Sequence, residues 1–282
     1  MTAAARCGVV VDSGAALAGG GAVAVVPLRL EVDGVLVTET GARGRLSAAT
    51  TVRTAAPSPG EYLVAMRAVA GEAIVVLTMA AELSGMHAAA LVAARLYAEE
   101  GDRRPVTVVD TRAAAGGLAL AARITVTAAE AGGTGAAVAA RAARAGEGLT
   151  MIGTLRTLAP LARSGRLPGL VAGVADRLRV QPVFELRQGR GRRLGLARTE
   201  VSALRLLTAA ARERAVTRDR AAGLVFHTEA PERAAALADR LADALPGGVD
   251  VIDLPAVAGA YTGPGMVGVA LVGLEPGESP LR

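Results

Sequence analysis

IVVLTMAAELSGMHAAAL, residues 74–91, is the stretch on which the fold turns. The continuous apolar run 74–77 reads as a strand buried on both faces. A short polar turn ends it, and a small-residue helix opens at Ser84 and Gly85. Strand, turn and helix in that order leave the first backbone N–H groups of the helix pointing outward, where the helix dipole favours negative charge. A small anion, or the acidic head of a larger ligand, suits that position. The competing reading is that Ser84 only caps its helix, since Ser is a preferred N-cap residue.

Working outward, residues 8–12 (GVVVD) and 106–109 read as further short buried strands, the second ending in Asp110-Thr111. Residues 22–28 form another strand, and residues 30–37 a hairpin, because Asp33-Gly34 suits a tight primed turn. A polar, Arg-containing loop is expected as far as Thr54-Ala55-Ala56, and Pro57-Ser58-Pro59-Gly60 then lead into a helix over about residues 61–70. Helices are also expected over about residues 84–99, 113–131 and 135–145. Short apolar strands alternating with helices argue for a parallel sheet covered on both faces. In such sheets ligands sit at the carboxyl ends of the strands, here Asp12-Ser13, Thr78 through Ser84, and Asp110-Thr111.

After about Gly148 the texture changes. Strand-like segments at 149–153, 180–186, 223–227, 249–254 and 266–272 are interspersed with helical ones at 157–163, 200–214 and 231–244. Hairpin-like turns join several of them, so a second α/β unit with a largely antiparallel or mixed sheet is expected. The expected division is residues 1–148 and 149–282. Arg166 follows the Ser164-Gly165 helix end, where the turn can aim it, and Tyr261-Thr262-Gly263-Pro264-Gly265 reads as a loop.

Hydrophobic content of 52% with 20% charged residues describes a folded protein rather than a disordered one. No apolar run reaches the roughly eighteen residues that span a bilayer, and Asp12 interrupts the first apolar run before a signal-peptide core forms. No integral membrane segment and a cytoplasmic location are therefore expected. One cysteine, Cys7, forbids an intrachain disulfide and any Cys-cluster metal site. Every basic residue is Arg, and the net charge of +5 is spread along the chain. The densest basic run, RQGRGRR at 187–193, reads as a solvated hairpin tip; with aromatic residues at 2% and none interleaved, no nucleic-acid partner is expected. Catalytic patterns are lacking too. Glu82 stands where a Gly-x-Ser-x-Gly elbow needs its first Gly, and the Gly runs lack a Gly-Lys-Ser/Thr ending. His87 and His227 are the only histidines, and both read as structural.

Several motifs in order resemble the DegV family of bacterial fatty-acid-binding proteins (FakB-like). They are VDSGAAL (residues 11–17), Pro27-Leu28, TAAPSPGEYL (54–63), Leu83-Ser84-Gly85, VVDTRAAAGGLAL (108–120), TLRTLAPLARSGRL (154–167), VQPVFEL, ARTEVSAL and YTGPG. The resemblance implies a two-domain α/β fold: an N-terminal, Rossmann-like parallel-sheet domain and a C-terminal α/β domain. It also implies a long-chain fatty acid held between the domains, with no cofactor. The implied role is a non-enzymatic carrier that presents the carboxylate to a partner fatty acid kinase, a DAK-like subunit. Carried over, the lipid-binding positions are Thr54, Ser84, Gly85, Arg166, Tyr261 and Thr262.

Three positions depart from the family pattern: Tyr261 replaces His, Met86 replaces Thr and Ala55 replaces Ser. Tyr261 donates a hydrogen bond but stays neutral and relays no proton near pH 7. These changes motivate a competing reading, an interaction or regulatory protein whose lipid pocket is altered or closed. Nucleic-acid binding through residues 187–193 ranks last.

Overall fold

The computed structural model describes residues 6–37, 52–101, 104–163, 180–218, 220–276 and 278. Its first sheet is built from β1 (Cys7–Asp12), β2 (Val23–Val26), β6 (Ala73–Thr78) and β7 (Val106–Asp110), all parallel, in the order β2-β1-β6-β7. β1 and β6 are buried along their whole length, as unbroken apolar runs in a doubly covered sheet should be. Helices α1 (Pro59–Ala68) and α2 (Met86–Glu99) cover one face, where Tyr62, Met66, Ala93 and Tyr97 pack on Val10, Ile74 and Val76. Helices α3 (Gly116–Glu130) and α4 (Gly135–Gly148) cover the other, where Leu118, Ala122, Val138 and Ala142 meet Val9, Val11, Val75 and Leu77.

A three-stranded antiparallel sheet sits beside this one, formed by β3 (Arg29–Val32), β4 (Val35–Val37) and β5 (Val52–Ala55) in the order β4-β3-β5. The β3–β4 turn has Asp33 and Gly34 both at positive φ (50° and 79°), the primed geometry expected of Asp-Gly. β5 falls inside the segment expected to be a loop. Four residues become a strand because β3 offers them a partner, with Thr54 opposite Leu30, and local pattern carries no trace of that pairing. The α1 start has a full capping box: Ser58 Oγ accepts from the Glu61 amide at 3.3 Å while Glu61 Oε2 accepts from the Ser58 amide at 2.8 Å.

The second half forms a six-stranded mixed sheet in the order β10-β9-β8-β13-β11-β12. Its strands are β8 (Thr150–Thr154), β9 (Gln181–Arg187), β10 (Arg190–Ala197), β11 (Ala221–His227), β12 (Val249–Asp253) and β13 (Val267–Gly273). Only β11 and β12 pair in parallel. Helices α6 (Glu200–Val216) and α7 (Pro231–Leu241) pack on its outer face; the short α5 (Ala159–Arg163) packs on α8 (Ala256–Thr262), which lies beside β5. The inner face receives α3. Leu120 and Ile124 of that helix join Met151, Phe184, Leu224 and Phe226 in one core, while Leu118 and Ala122 reach back to the parallel sheet. A helix enclosed this way is apolar nearly all round, as the α3 sequence is.

One expectation fails in the second half and another holds only in part. Tyr261 and Thr262 do not lie in a loop: they close α8, which ends at Gly263 (φ 69°) because a glycine there reverses the chain at no steric cost. The basic run 187–193 is a hairpin with its arginines exposed, as expected, but its turn is not free in solvent. The turn is only Gln188-Gly189, both at positive φ, and Arg190 onward belongs to β10. That turn is docked. The Gly189 amide donates to the Arg112 carbonyl at 2.8 Å, Arg112 Nη1 to Gln188 Oε1 at 2.7 Å, and Gln188 Nε2 to the Glu147 carbonyl at 2.7 Å. A hairpin of the mixed sheet is thus fastened to loops and a helix end of the parallel-sheet half.

On the outer face of the same hairpin the Glu185 carboxylate is buried and accepts from Arg214 Nε at 2.7 Å and Arg192 Nη2 at 2.8 Å. Burial pushes this carboxyl up, but the Arg214 and then the Arg192 hydrogen bonds outweigh it and hold the pKa below the ordinary 4.5. A carboxyl depressed on folding stabilises fully above its unfolded pKa, and the contribution is lost as pH falls through the folded value. Glu185→Gln is expected to cost about 1–2 kcal/mol near pH 7, after discounting for the solvent around Arg192. In urea titrations the gap between wild type and variant should narrow as pH falls below about 4.5; a gap independent of pH contradicts the assignment.

Candidate functional site

At the carboxyl end of the parallel sheet lies a cavity with about 990 Å³ of empty space, counting the part open to solvent. Its walls come from both halves. Asp12 ends β1, Thr54 sits near the end of β5, and Ser84 lies in the turn between β6 and α2. Ala114, Ala115 and Leu118 mark the start of α3; Met151, Phe184 and Leu186 come from β8 and β9; Tyr261 and Thr262 come from the last turn of α8.

Four of the expected positions, Thr54, Ser84, Tyr261 and Thr262, therefore line one cavity although up to 208 residues separate them along the chain (262 − 54). Gly85 is adjacent, as the N-cap of α2. Arg166 lies outside the described residues.

Ser84 is not the helix cap. Gly85 holds the N-cap position with no side-chain bond to the first turn, and Ser84 Oγ accepts only a long contact, 3.4 Å, from the Met86 amide. The turn before it, closed by the Leu83 amide on the Ala80 carbonyl, sets the helix start one residue later than Ser chemistry alone suggests. Helix α3 also opens without a side-chain cap, at Ala115, whose φ of 48° is a conformation normally left to glycine. Two uncapped helix N-termini thus border the cavity, and each favours negative charge there.

The hydroxyls are not equivalent. Thr262 Oγ1 donates back to the Ala258 carbonyl at 3.0 Å and lies 3.2 Å from the Gly263 carbonyl, so its single proton is committed to its own helix end. In this rotamer Thr262 accepts but does not donate. Thr54, Ser84 and Tyr261 are the other hydroxyl-bearing residues of the set.

Asp12 is the only formally charged side chain among the described lining residues, and it stands at a strand end where a ligand was expected. Its Oδ1 accepts from the Gly14 amide at 2.9 Å. The phenol of the nearby Tyr62 is pushed well up, first by burial and then by the Asp12 charge. Sequence reasoning missed the α3 start. The Asp110-Thr111 strand end, expected at the site, instead bonds locally, Asp110 Oδ1 accepting from the Arg112 amide at 2.8 Å, and the Ala114-Ala115 pair beyond it reaches the cavity. His87 and His227 are not in the wall: His87 Nδ1 is 3.1 Å from Thr78 Oγ1, and His227 Nδ1 is 3.4 Å from Asp253 Oδ1. Among the described residues no group of three or more His, Cys, Asp or Glu side chains could hold a metal ion, and no helix is long and apolar enough to cross a membrane.

Comparison with known proteins gives a consistent picture. Residues 6–273 match the profile described as an uncharacterised protein of the DegV family. A DegV domain-containing protein of Streptomyces coelicolor is 38% identical over 230 residues, 78% of each chain. A solved structure from Thermus thermophilus, described by its fatty acid binding and as a DegV family protein, is 30% identical, with a TM-score of 0.82 over 95% of this chain and 100% of that one. A protein of the same family from Ruminococcus gnavus, 23% identical, shares the fold with a TM-score of 0.85 over 95% of this chain and 99% of that one.

Proposed function

The chain belongs to the DegV family, and from that membership and the cavity together we propose that it carries a fatty acid, or a closely similar anionic lipid, with the acyl chain buried between the two halves. The halves are residues 1–148 and 149–282, two α/β domains with the lipid site at their junction. The observation that carries the reading is a largely apolar cavity into which Thr54, Ser84 and Tyr261 bring hydroxyl groups. An acyl chain gains about 0.8 kcal/mol per buried methylene, so a long one supplies roughly 10 kcal/mol gross. A carboxylate buried without partners costs several kcal/mol. The head group therefore needs donors, which the hydroxyls and the two helix N-termini provide. The reading also requires a cation, and assigns that role to Arg166, whose guanidinium matches a carboxylate in a two-bond fork. Fatty acid binding by the Thermus relative supports the choice of ligand.

The finer proposal is that the protein works as the non-catalytic partner of a DAK-like fatty acid kinase, presenting the carboxylate for phosphorylation. Acyl-phosphate formation, assayed with that kinase and the lipid-loaded protein, tests it separately from binding.

Mass spectrometry of lipid extracted from natively purified protein is expected to find a fatty acid. Thr54→Ala and Ser84→Ala should each weaken binding about tenfold, the worth of one hydrogen bond to a charged group. Absence of any lipid, with no binding of added fatty acids, sinks the carrier reading.

A further inference from the structure

Four of the chain's six methionines, Met79, Met86, Met151 and Met266, line this one cavity. They come from both halves: Met79 from the turn after β6, Met86 from the first residue of α2, Met151 from β8, and Met266 from the residue before β13. Met86, Met151 and Met266 are buried. The Met266 side chain reaches across to β8, where a Cβ on Gly153 would stand 3.5 Å from its Cε. Such clustering is a property of the wall, not of a methionine-rich composition. Val257 is the only β-branched apolar side chain, and Phe184 the only phenyl ring, among the described lining residues.

Six leucines share the wall with the methionines, and it is the methionine part of the surface that can change contour. Methionine is unbranched, has three rotatable side-chain bonds and carries a polarisable sulfur, so it refits around different apolar guests at little cost. Valine and isoleucine are stiff at χ1 and would impose one contour. A rigid apolar pocket separates ligands that differ by one methylene by about 10–200-fold, and a thioether wall gives up that discrimination. We propose that the four methionines make the cavity tolerant of acyl-chain shape, so that straight saturated, cis-unsaturated and methyl-branched fatty acids of one carbon number bind with near-equal affinity. The inference rests on the carrier reading and adds to it the class of lipid accepted.

An equimolar mixture of three such acids, offered in excess to the delipidated full-length protein, tests it. The bound fraction is extracted and separated by gas chromatography, which resolves the isomers. Bound amounts within about threefold of one another are expected. A preference of about tenfold or more for one shape overturns the inference and leaves the carrier reading standing. Failure to bind all three overturns both. The Met151→Ile/Met266→Ile variant provides a second arm: it should disfavour the bent and branched acids about tenfold relative to the straight one. A variant that folds and binds without any such bias removes the methionines as the cause. The wild-type measurement decides by itself if the variant does not fold.

Discussion

Phe226→Ala is expected to cost about 3–5 kcal/mol, a third or more of the stability of an ordinary domain. The ring is fully buried on β11 and occupies space that two other residues leave open. A Cβ on Gly116 would lie 1.9 Å from Phe226 Cδ1, and one on Gly268 would lie 2.4 Å from Cζ. Both glycines are there to admit the ring, Gly116 at the start of α3 and Gly268 on the neighbouring strand. Phe226 is thus the joint where the helix between the two sheets meets the mixed sheet. Loss of the ring leaves a hole beside the α3 start, which also borders the cavity. Urea unfolding should show the midpoint fall with little change in slope, and the melting temperature should drop by roughly 10 °C. Gly116→Val approaches the same joint from the other side and should also destabilise, by overpacking, about 1–3 kcal/mol. Because one substitution empties the space that the other overfills, the double variant should lose less than the sum of the two single losses. Strictly additive losses would show that the contact is not the source of the effect.

How much of this was readable from the chain depends on how local each cause is. The parallel strands were legible because a strand covered on both faces must be continuously apolar, as Ala73–Thr78 is. The β3–β4 turn was legible because Asp33 and Gly34 tolerate positive φ, and the α1 start because Ser58 and Glu61 cap each other. β5 was not, since Val52–Ala55 is a strand only by virtue of β3. The docked hairpin was not either: Gln188 and Gly189 read as a solvent-facing turn until Arg112 and Glu147 are brought to them by folding. The site divides in the same way. Thr54, Ser84 and Tyr261 came from resemblance to a family, because no periodicity relates residues so far apart. The methionine wall, from positions 79 to 266, has no sequence signature at all. Arg166 was legible only through the same resemblance, and its place lies outside the described residues.

Ala258→Trp is expected to abolish most lipid binding while leaving the protein folded. Ala258 lines the cavity from α8, three residues before Tyr261 and so on the same side of the helix, and its carbonyl accepts the Thr262 hydroxyl. An indole there projects into empty space rather than into a filled core, so the usual overpacking penalty should be small. What it removes is room for the acyl chain. If it excludes roughly four methylenes at about 0.8 kcal/mol each, about 3 kcal/mol of binding is lost, on the order of 100-fold in affinity. That exceeds the effect of removing the Thr54 or the Ser84 hydroxyl, which follows if burial of the chain sets affinity and the polar groups set orientation. Thermal unfolding with and without added fatty acid checks both halves of the expectation. Ligand at 100 times its dissociation constant stabilises by about 2.7 kcal/mol, so wild type should gain several degrees and the variant almost none, from the same unliganded midpoint. A variant that still binds with wild-type affinity would place the acyl chain somewhere other than this cavity, and the hydroxyls gathered there would need another guest.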